Sequence, residues 1–498
     1  MSITRGTISR KLKQKRISRF LLGLVVSGSF LGIFFSPVDA RESRDRDITL
    51  AVQKKLINDQ SVSPNLIDVW TDKGIVTLTG SVDNVLAKER ATEIAETTKG
   101  VQSVVNRIVV KPGERQDGDI SWDIRQAILD DPATDLYEIE AEVKDGIVTL
   151  TGTVDSWAES RLCEKVVKSV KGVKGIKNEI EVQHKVKRQD WQIEAEIKRR
   201  LAWDVWVDDA LINVSVKNGR VTLSGKVGSA AEKSRAYGDA WVAGVTYVDY
   251  AELSVDSRER DKMRREGWYV SRFDKEIERA VRDALLYDPR IFSFNPEVEV
   301  KDGVVTLSGV VDNQKAKKAA EEDAKHTAGV WRVKNYMRVR PKIQPSDVQI
   351  ARRVWDAFSR DTFVERHDIS VSVINGTVHL YGTVDSLSER MAAEDLASRV
   401  KGVVEVENRV VVGHTVPDRG EKSDWEIKED IESELSRDPF VDSDEVRVTV
   451  RDGVVTLTGT VYSWTEHAAA SANAYQGGAL KVRNRLNVRN GPTYYRPK

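Results

Sequence analysis

Cysteine occurs once in the 498 residues, at Cys163, so no intrachain disulfide can form. Its neighbours Leu162, Val166 and Val167 are apolar, and it reads as a small apolar residue on a helix. No cysteine lies near the N-terminal apolar stretch, which excludes lipid attachment at a processed N-terminal cysteine. Net charge is also lacking, with 78 basic against 78 acidic residues. The balance hides an asymmetry, because residues 1–40 hold seven basic side chains and one acid. The remainder is mildly acidic, which argues against nucleic-acid binding, since that needs clustered Lys and Arg to neutralise phosphates. Histidine is scarce at six, with no His-Glu-x-x-His and no two histidines spaced for one helix face. A Gly-x-Ser-x-Gly elbow and a phosphate loop are both absent, and the carboxylates recur at caps and solvated positions. With no cleft assembled from unlike residues, the sequence reads as non-enzymatic and implies no cofactor and no small-molecule substrate.

Long apolar runs are missing too. The stretch from Phe20 to Phe35 is sixteen residues long, short of the ~20 that a bilayer span requires. Preceded by basic residues and followed by Val38-Asp39-Ala40, residues 1–40 read as a signal peptide, with an uncleaved inner-membrane anchor as the alternative. Either points to export, into the periplasm of a bacterial-type envelope.

What the sequence does have is repetition. Gly146-Ile-Val-Thr-Leu-Thr-Gly152 recurs as 74–80, 219–225, 303–309, 376–382 and 453–459. An isoleucine stands 26 residues before each first glycine: Ile48, Ile120, Ile193, Ile277, Ile350 and Ile427. Each opens an apolar i, i+4, i+8 series, which predicts a helix of about three turns with one buried stripe. Eleven residues past each isoleucine comes an Asp (59, 131, 204, 288, 361, 438), read as a turn at the helix exit in preference to a catalytic or metal set. Alternating strand residues then flank a hairpin whose turn is Asp-Gly or Asn-Gly in five copies and Lys73-Gly74 in the first. Gly74, Gly146, Gly219, Gly303, Gly376 and Gly453 are therefore structural turn glycines. The returning strand ends at Gly80 and its equivalents, where the missing side chain allows a bulge or a close backbone approach.

A second helix follows, with Ser-x-x-Glu capping boxes at Ser156, Ser229, Ser386 and Ser463. Gly100, Gly172, Gly244, Gly329, Gly402 and Gly478 stand at its C-cap. A third strand closes a unit of about seventy residues. The chain divides as 1–40 signal peptide, repeats at 47–112, 118–183, 190–256, 273–341, 346–412 and 423–488, and a charged linker at 257–272 that splits the array three plus three. Units this small are marginal alone, and a rigid rod, a compact bundle and a flexible string all remain open.

The Gly-x-Val-x-Leu-x-Gly-x-Val string, the preceding Asp- or Asn-Gly turn and the later Gly-Val resemble the BON (bacterial osmotic-shock and nodulation) domain across residues 47–488. The resemblance implies an α+β fold: a tandem array of six small αββαβ modules, each a three-stranded mixed sheet packed on two helices. It further implies a periplasmic or outer-membrane location and a role in binding phospholipid surfaces or in maintaining the envelope under osmotic stress, with a chaperone role also proposed in the family. Twelve tryptophans supply the candidate contacts. Trp191 and Trp425 occupy one equivalent position, two residues before the first-helix isoleucine; Trp157 and Trp464 occupy another, at the start of the second helix. They either staple helix ends onto the sheet or meet lipid headgroups or partner proteins. In the family the first helix is implicated in lipid contact, which favours Trp191 and Trp425. The partner is then a membrane phospholipid surface or, alternatively, envelope proteins bound by a soluble scaffold or stress chaperone.

Overall fold

A computed structural model describes residues 40–59, 61–62, 66–134, 138–183, 188–256, 273–291, 296–342, 344–364, 368–384, 386–412 and 422–488. The expected signal peptide (apart from Ala40), the charged linker 257–272, and His184, His367 and His414 lie outside the described residues.

Every repeat folds as first helix, hairpin, second helix and third strand. In module 5 these are Asp347–Arg360, Ile369–Ile374 with Thr377–Val384, Leu387–Arg399 and Glu405–Val412. The returning hairpin strand is central, antiparallel to the first and parallel to the third. The second helix makes the crossover that a parallel pair requires. The apolar series lands as its spacing demands: Ile350, Val354 and Phe358 are at most 1% exposed, and the equivalent triplets of the other modules are all buried. Each buried side chain of this kind stabilises by ~1.5–3 kcal/mol. The hairpin turn pairs a non-glycine residue at φ between 50° and 55° with a glycine at 70° to 77°, the two positive angles of a type I′ turn.

One expectation is corrected. Gly100, Gly172, Gly244, Gly329 and Gly402 do not sit at the helix cap. The second helices end at Glu96, Lys168, Asp239, Lys325 and Arg399, and the glycines follow in a further turn at φ between +87° and +98°. In module 1 that turn closes through Val101 N–H donating to Thr98 O at 3.2 Å.

The modules dock on one another, and the described residues from Arg41 onward form one compact unit. Modules 1, 2 and 3 meet mutually. Val85 of module 1 enters the core of module 2, Ala230 of module 3 enters that of module 1, and Trp157 of module 2 stacks on Trp241 of module 3. Modules 4, 5 and 6 do likewise through Lys318 on Glu394, Tyr475 against the module 5 core, and Trp464 Nε1 donating to Trp331 O at 2.6 Å.

Main-chain hydrogen bonds between the two triplets pair module 1 with 6, 2 with 5 and 3 with 4. In each pair the N–H one residue before the second-helix glycine donates to the carbonyl one residue before the partner's turn Asp. The bonds are Lys99 to Arg437 (3.0 Å), Lys171 to Arg360 (2.8 Å) and Ala328 to Trp203 (2.9 Å). Equivalent first-helix positions face each other across each pair, with opposite charges. Lys55 lies 4.0 Å from Glu434, Arg360 lies 2.6 Å from Asp130, and Arg199 lies 3.5 Å from Asp283. A module pairing with its own copy would set like charges there, so the charges select these partners.

Candidate functional site

In every module an Asp stands three residues before the isoleucine, at the start of the first helix in modules 2 to 6 and inside the longer Ala40–Asn58 helix of module 1, a regularity that sequence reasoning missed. Its carboxylate accepts both backbone N–H groups of the hairpin turn. Asp190 takes Asn218 N–H at 2.7 Å and Gly219 N–H at 3.0 Å; Asp424 takes Asp452 N–H and Gly453 N–H at 2.9 Å each. Asp45, Asp117, Asp274 and Asp347 do the same. In modules 2 to 6 the anion also sits at a helix N-terminus, where the macrodipole favours it. The clamp fixes the helix start against the turn and thereby turns the following residue outward. That residue is Trp191 in module 3, Val348 in module 5 and Trp425 in module 6, at 70%, 80% and 69% exposure.

The other predicted pair is placed differently. Trp157 and Trp464 are half-buried between modules rather than on their own sheets. The Trp157 ring lies 5.3 Å from that of Trp241 and nearly parallel to it, and Trp464 packs edge-on to His467 while bonding Trp331. Trp122, also exposed, stands two residues after its isoleucine and was not singled out from the sequence.

The turn aspartates behave as their position predicts. One oxygen of each accepts the N–H two residues on, as in Asp131 to Ala133 (2.9 Å) and Asp204 to Trp206 (2.7 Å). The second oxygen takes the equivalent arginine in modules 1 and 3, Arg90 and Arg235, and other partners in modules 2, 4 and 6. Asp59 holds Arg90 at 2.8 Å, Asp438 accepts from Asn473 at 2.6 Å, and Asp131 binds Lys315 of module 4 at 2.7 Å. His379 places Nδ1 3.2 Å from Glu407 on the neighbouring strand. Burial pushes the Cys163 thiol up to about 12, which keeps it protonated and inert.

Burial likewise raises Glu96, at the contact between modules 1 and 3, to about 7 from an ordinary 4.5; Ser234 Oγ donates to it at 3.0 Å and opposes the shift. A carboxyl raised on folding loses stability as pH climbs from the unfolded to the folded value. Glu96→Gln keeps an acceptor for Ser234 and should therefore stabilise by ~1–2 kcal/mol above pH 7. That gain should fade to nothing by pH 4.5. Melting curves of both proteins across that range check it, and a gain independent of pH would refute the assignment.

The BON domain model matches residues 44–112, 116–184, 189–257, 273–341, 346–414 and 423–490. The osmotically-inducible protein Y of Escherichia coli is 32% identical over 143 residues, which is 27% of this chain and 71% of that protein. The outer membrane lipoprotein DolP of Haemophilus influenzae is 34% identical over 140 residues, 27% of this chain and 71% of its own. The 21 kDa hemolysin of Actinobacillus pleuropneumoniae is 30% identical over 145 residues, 29% and 75% respectively.

Proposed function

Because the chain belongs to the BON domain family, we propose that it is a non-enzymatic protein of the bacterial envelope that docks on phospholipid surfaces through several modules at once. Relatives named as osmotically inducible and as an outer membrane lipoprotein support an envelope role under osmotic stress. In this reading residues 1–40 are the export signal. No helix among the described residues is long and apolar enough to cross a membrane.

The observation that carries the reading is the pair Trp191 and Trp425. They hold the same position in modules 3 and 6, and their indoles are held in water by the Asp clamps beside them. An amphipathic indole gains by entering the headgroup layer. Two weak sites on one chain add by avidity, worth ~10²–10⁴ when both engage.

Co-sedimentation of the full chain with vesicles, with and without phosphatidylglycerol at low salt, tests this. The double variant Trp191→Ala/Trp425→Ala should cut vesicle binding at least about tenfold, since each buried indole contributes ~1.5–3 kcal/mol. Equal pelleting of variant and parent, or none that depends on lipid, would sink the proposal. Suppression of a client's aggregation in lipid-free buffer would then favour the protein-binding scaffold.

A further inference from the structure

Modules 2, 3 and 4 converge on a cavity of about 460 Å³, within the range of small-molecule sites. One wall is apolar. It includes the indole of Trp157, stacked on Trp241 with the Arg161 guanidinium 5.5 Å from its centroid, and, from the facing first helices of modules 3 and 4, Trp203 and Tyr287, the latter with Arg200 5.0 Å from its centroid. Ala158, Ala280 and Ala284 leave the space open by being small.

The rest of the lining is charged, with six basic side chains against five carboxyls. Two of those carboxyls are of a special kind. Asp239 and Asp323 stand twenty residues after the turn glycines of modules 3 and 4, where other copies carry Ile94, Val166 and Leu396. Module 6 has Asn473 there, whose Nδ2 donates to the turn aspartate Asp438. An aspartate in that place can make the same bond to Asp204 or Asp288 only by carrying a proton. Burial, followed by the neighbouring carboxylate, raises both Asp239 and Asp323 well above the ordinary value. A proton on either would enlarge the positive excess of the lining. Arg199 holds its acidic neighbour Asp283 only at 3.5 Å and keeps most of its donor capacity for another anion.

We propose that this inter-module cavity binds a single-chain anionic amphiphile, its chain against Trp157, Trp203 and Tyr287 and its head on the guanidinium group of Arg199. The site is separate from the exposed Trp191 and Trp425 and does not depend on the membrane-surface reading.

Titration calorimetry of the full chain with dodecanoate, below its micelle concentration, should give one saturable site. Dodecyltrimethylammonium, with the same chain and the opposite charge, should bind at least about tenfold more weakly. Lysophosphatidylglycerol supplies the same chemistry from a lipid source; its affinity relative to dodecanoate tells which source the site prefers, and saturable uptake of either supports it. Ala284→Trp, which fills the cavity from a partly exposed position, should abolish uptake. Arg199→Gln should weaken it at least about fivefold without touching the core, which keeps the test open if the filled variant does not fold. Trp191→Ala/Trp425→Ala should leave it unchanged. Non-saturating uptake, equal uptake of the cationic amphiphile, or indifference to both cavity variants would overturn the proposal.

Discussion

Gly382→Ala should unfold module 5 while Gly376→Ala, six residues earlier in the same hairpin, should leave it folded. Both glycines have positive φ, +142° and +76°, but only the second lies near the left-handed region that an alanine can enter at modest cost. Their surroundings differ too. A Cβ on Gly382 would stand 1.9 Å from the carbonyl oxygen of Asp368, backbone that cannot move without breaking the Ile369–Gly382 pairing. On Gly376 the nearest backbone atom, Gly402 O, would be 3.1 Å away. Backbone strain of ~1–3 kcal/mol and overpacking of ~1–3 kcal/mol both apply to Gly382, whereas the turn glycine should cost ~1 kcal/mol. Urea denaturation combined with hydrogen exchange over residues 369–412 reads the difference. The same contact recurs at Gly80, Gly152, Gly225 and Gly459, at 1.8 to 2.3 Å, so similar losses at those four would confirm that the approach belongs to the module.

Asp131→Asn should destabilise the docked array by ~3–5 kcal/mol, the loss expected when one partner of a buried ion pair is removed. Asn retains the acceptor that caps Ala133 N–H, so the turn survives and only charge is lost. Behind it stand Lys315 of module 4, bonded at 2.7 Å, and Arg399 of module 5, at 3.7 Å, all three side chains at most 10% exposed. Removing the carboxylate leaves two cations facing each other. Burial, first, and Arg399, second, already hold Lys315 below its ordinary value, and without Asp131 it would shed its proton to relieve the strain. Asp395, held low chiefly by Arg399 against the cost of burial, continues to neutralise Arg399. Lys315→Met should cost less, because Arg399 still faces Asp131, and the double variant Asp131→Asn/Lys315→Met should recover much of the loss. A double-mutant cycle by thermal melting measures the coupling. Strict additivity would show that the two residues, 184 apart in the chain, do not act together.

Much of the module was legible because local sterics dictate it. The spacing of Ile350, Val354 and Phe358 can be satisfied only by a helix with one buried face, and Asn375-Gly376 selects the tight turn. The helix-start aspartates escaped notice because an acid in a first helical turn is ordinary; their recurrence three residues before every isoleucine was the available signal. Trp157 and Trp464 could not be placed, since their contacts, Trp241 and Trp331, belong to other modules and no periodicity relates them. Asp239 and Asp323 could have been found. An acid where sister copies carry Ile94 or Leu396 is a local contradiction, and such contradictions mark sites. The charges selecting partners, such as Lys55 and Glu434, acquire meaning only once the pairing is known.

The order of that pairing has a consequence for how the molecule assembles. Written along the chain, 1 with 6, 2 with 5 and 3 with 4 are nested like brackets, so no connection has to thread through another. Joining the innermost pair brings 2 and 5 within reach, and joining those brings 1 and 6. Each step closes a short effective loop rather than the whole chain, and loop closure becomes costlier by only ~0.6 kcal/mol for every doubling in length. An assembly that zips outward from the middle, while synthesis runs from one end, would join module 1, the first of the six to be made, to its partner last, and Lys55 would meet Glu434 only after module 6 has left the ribosome.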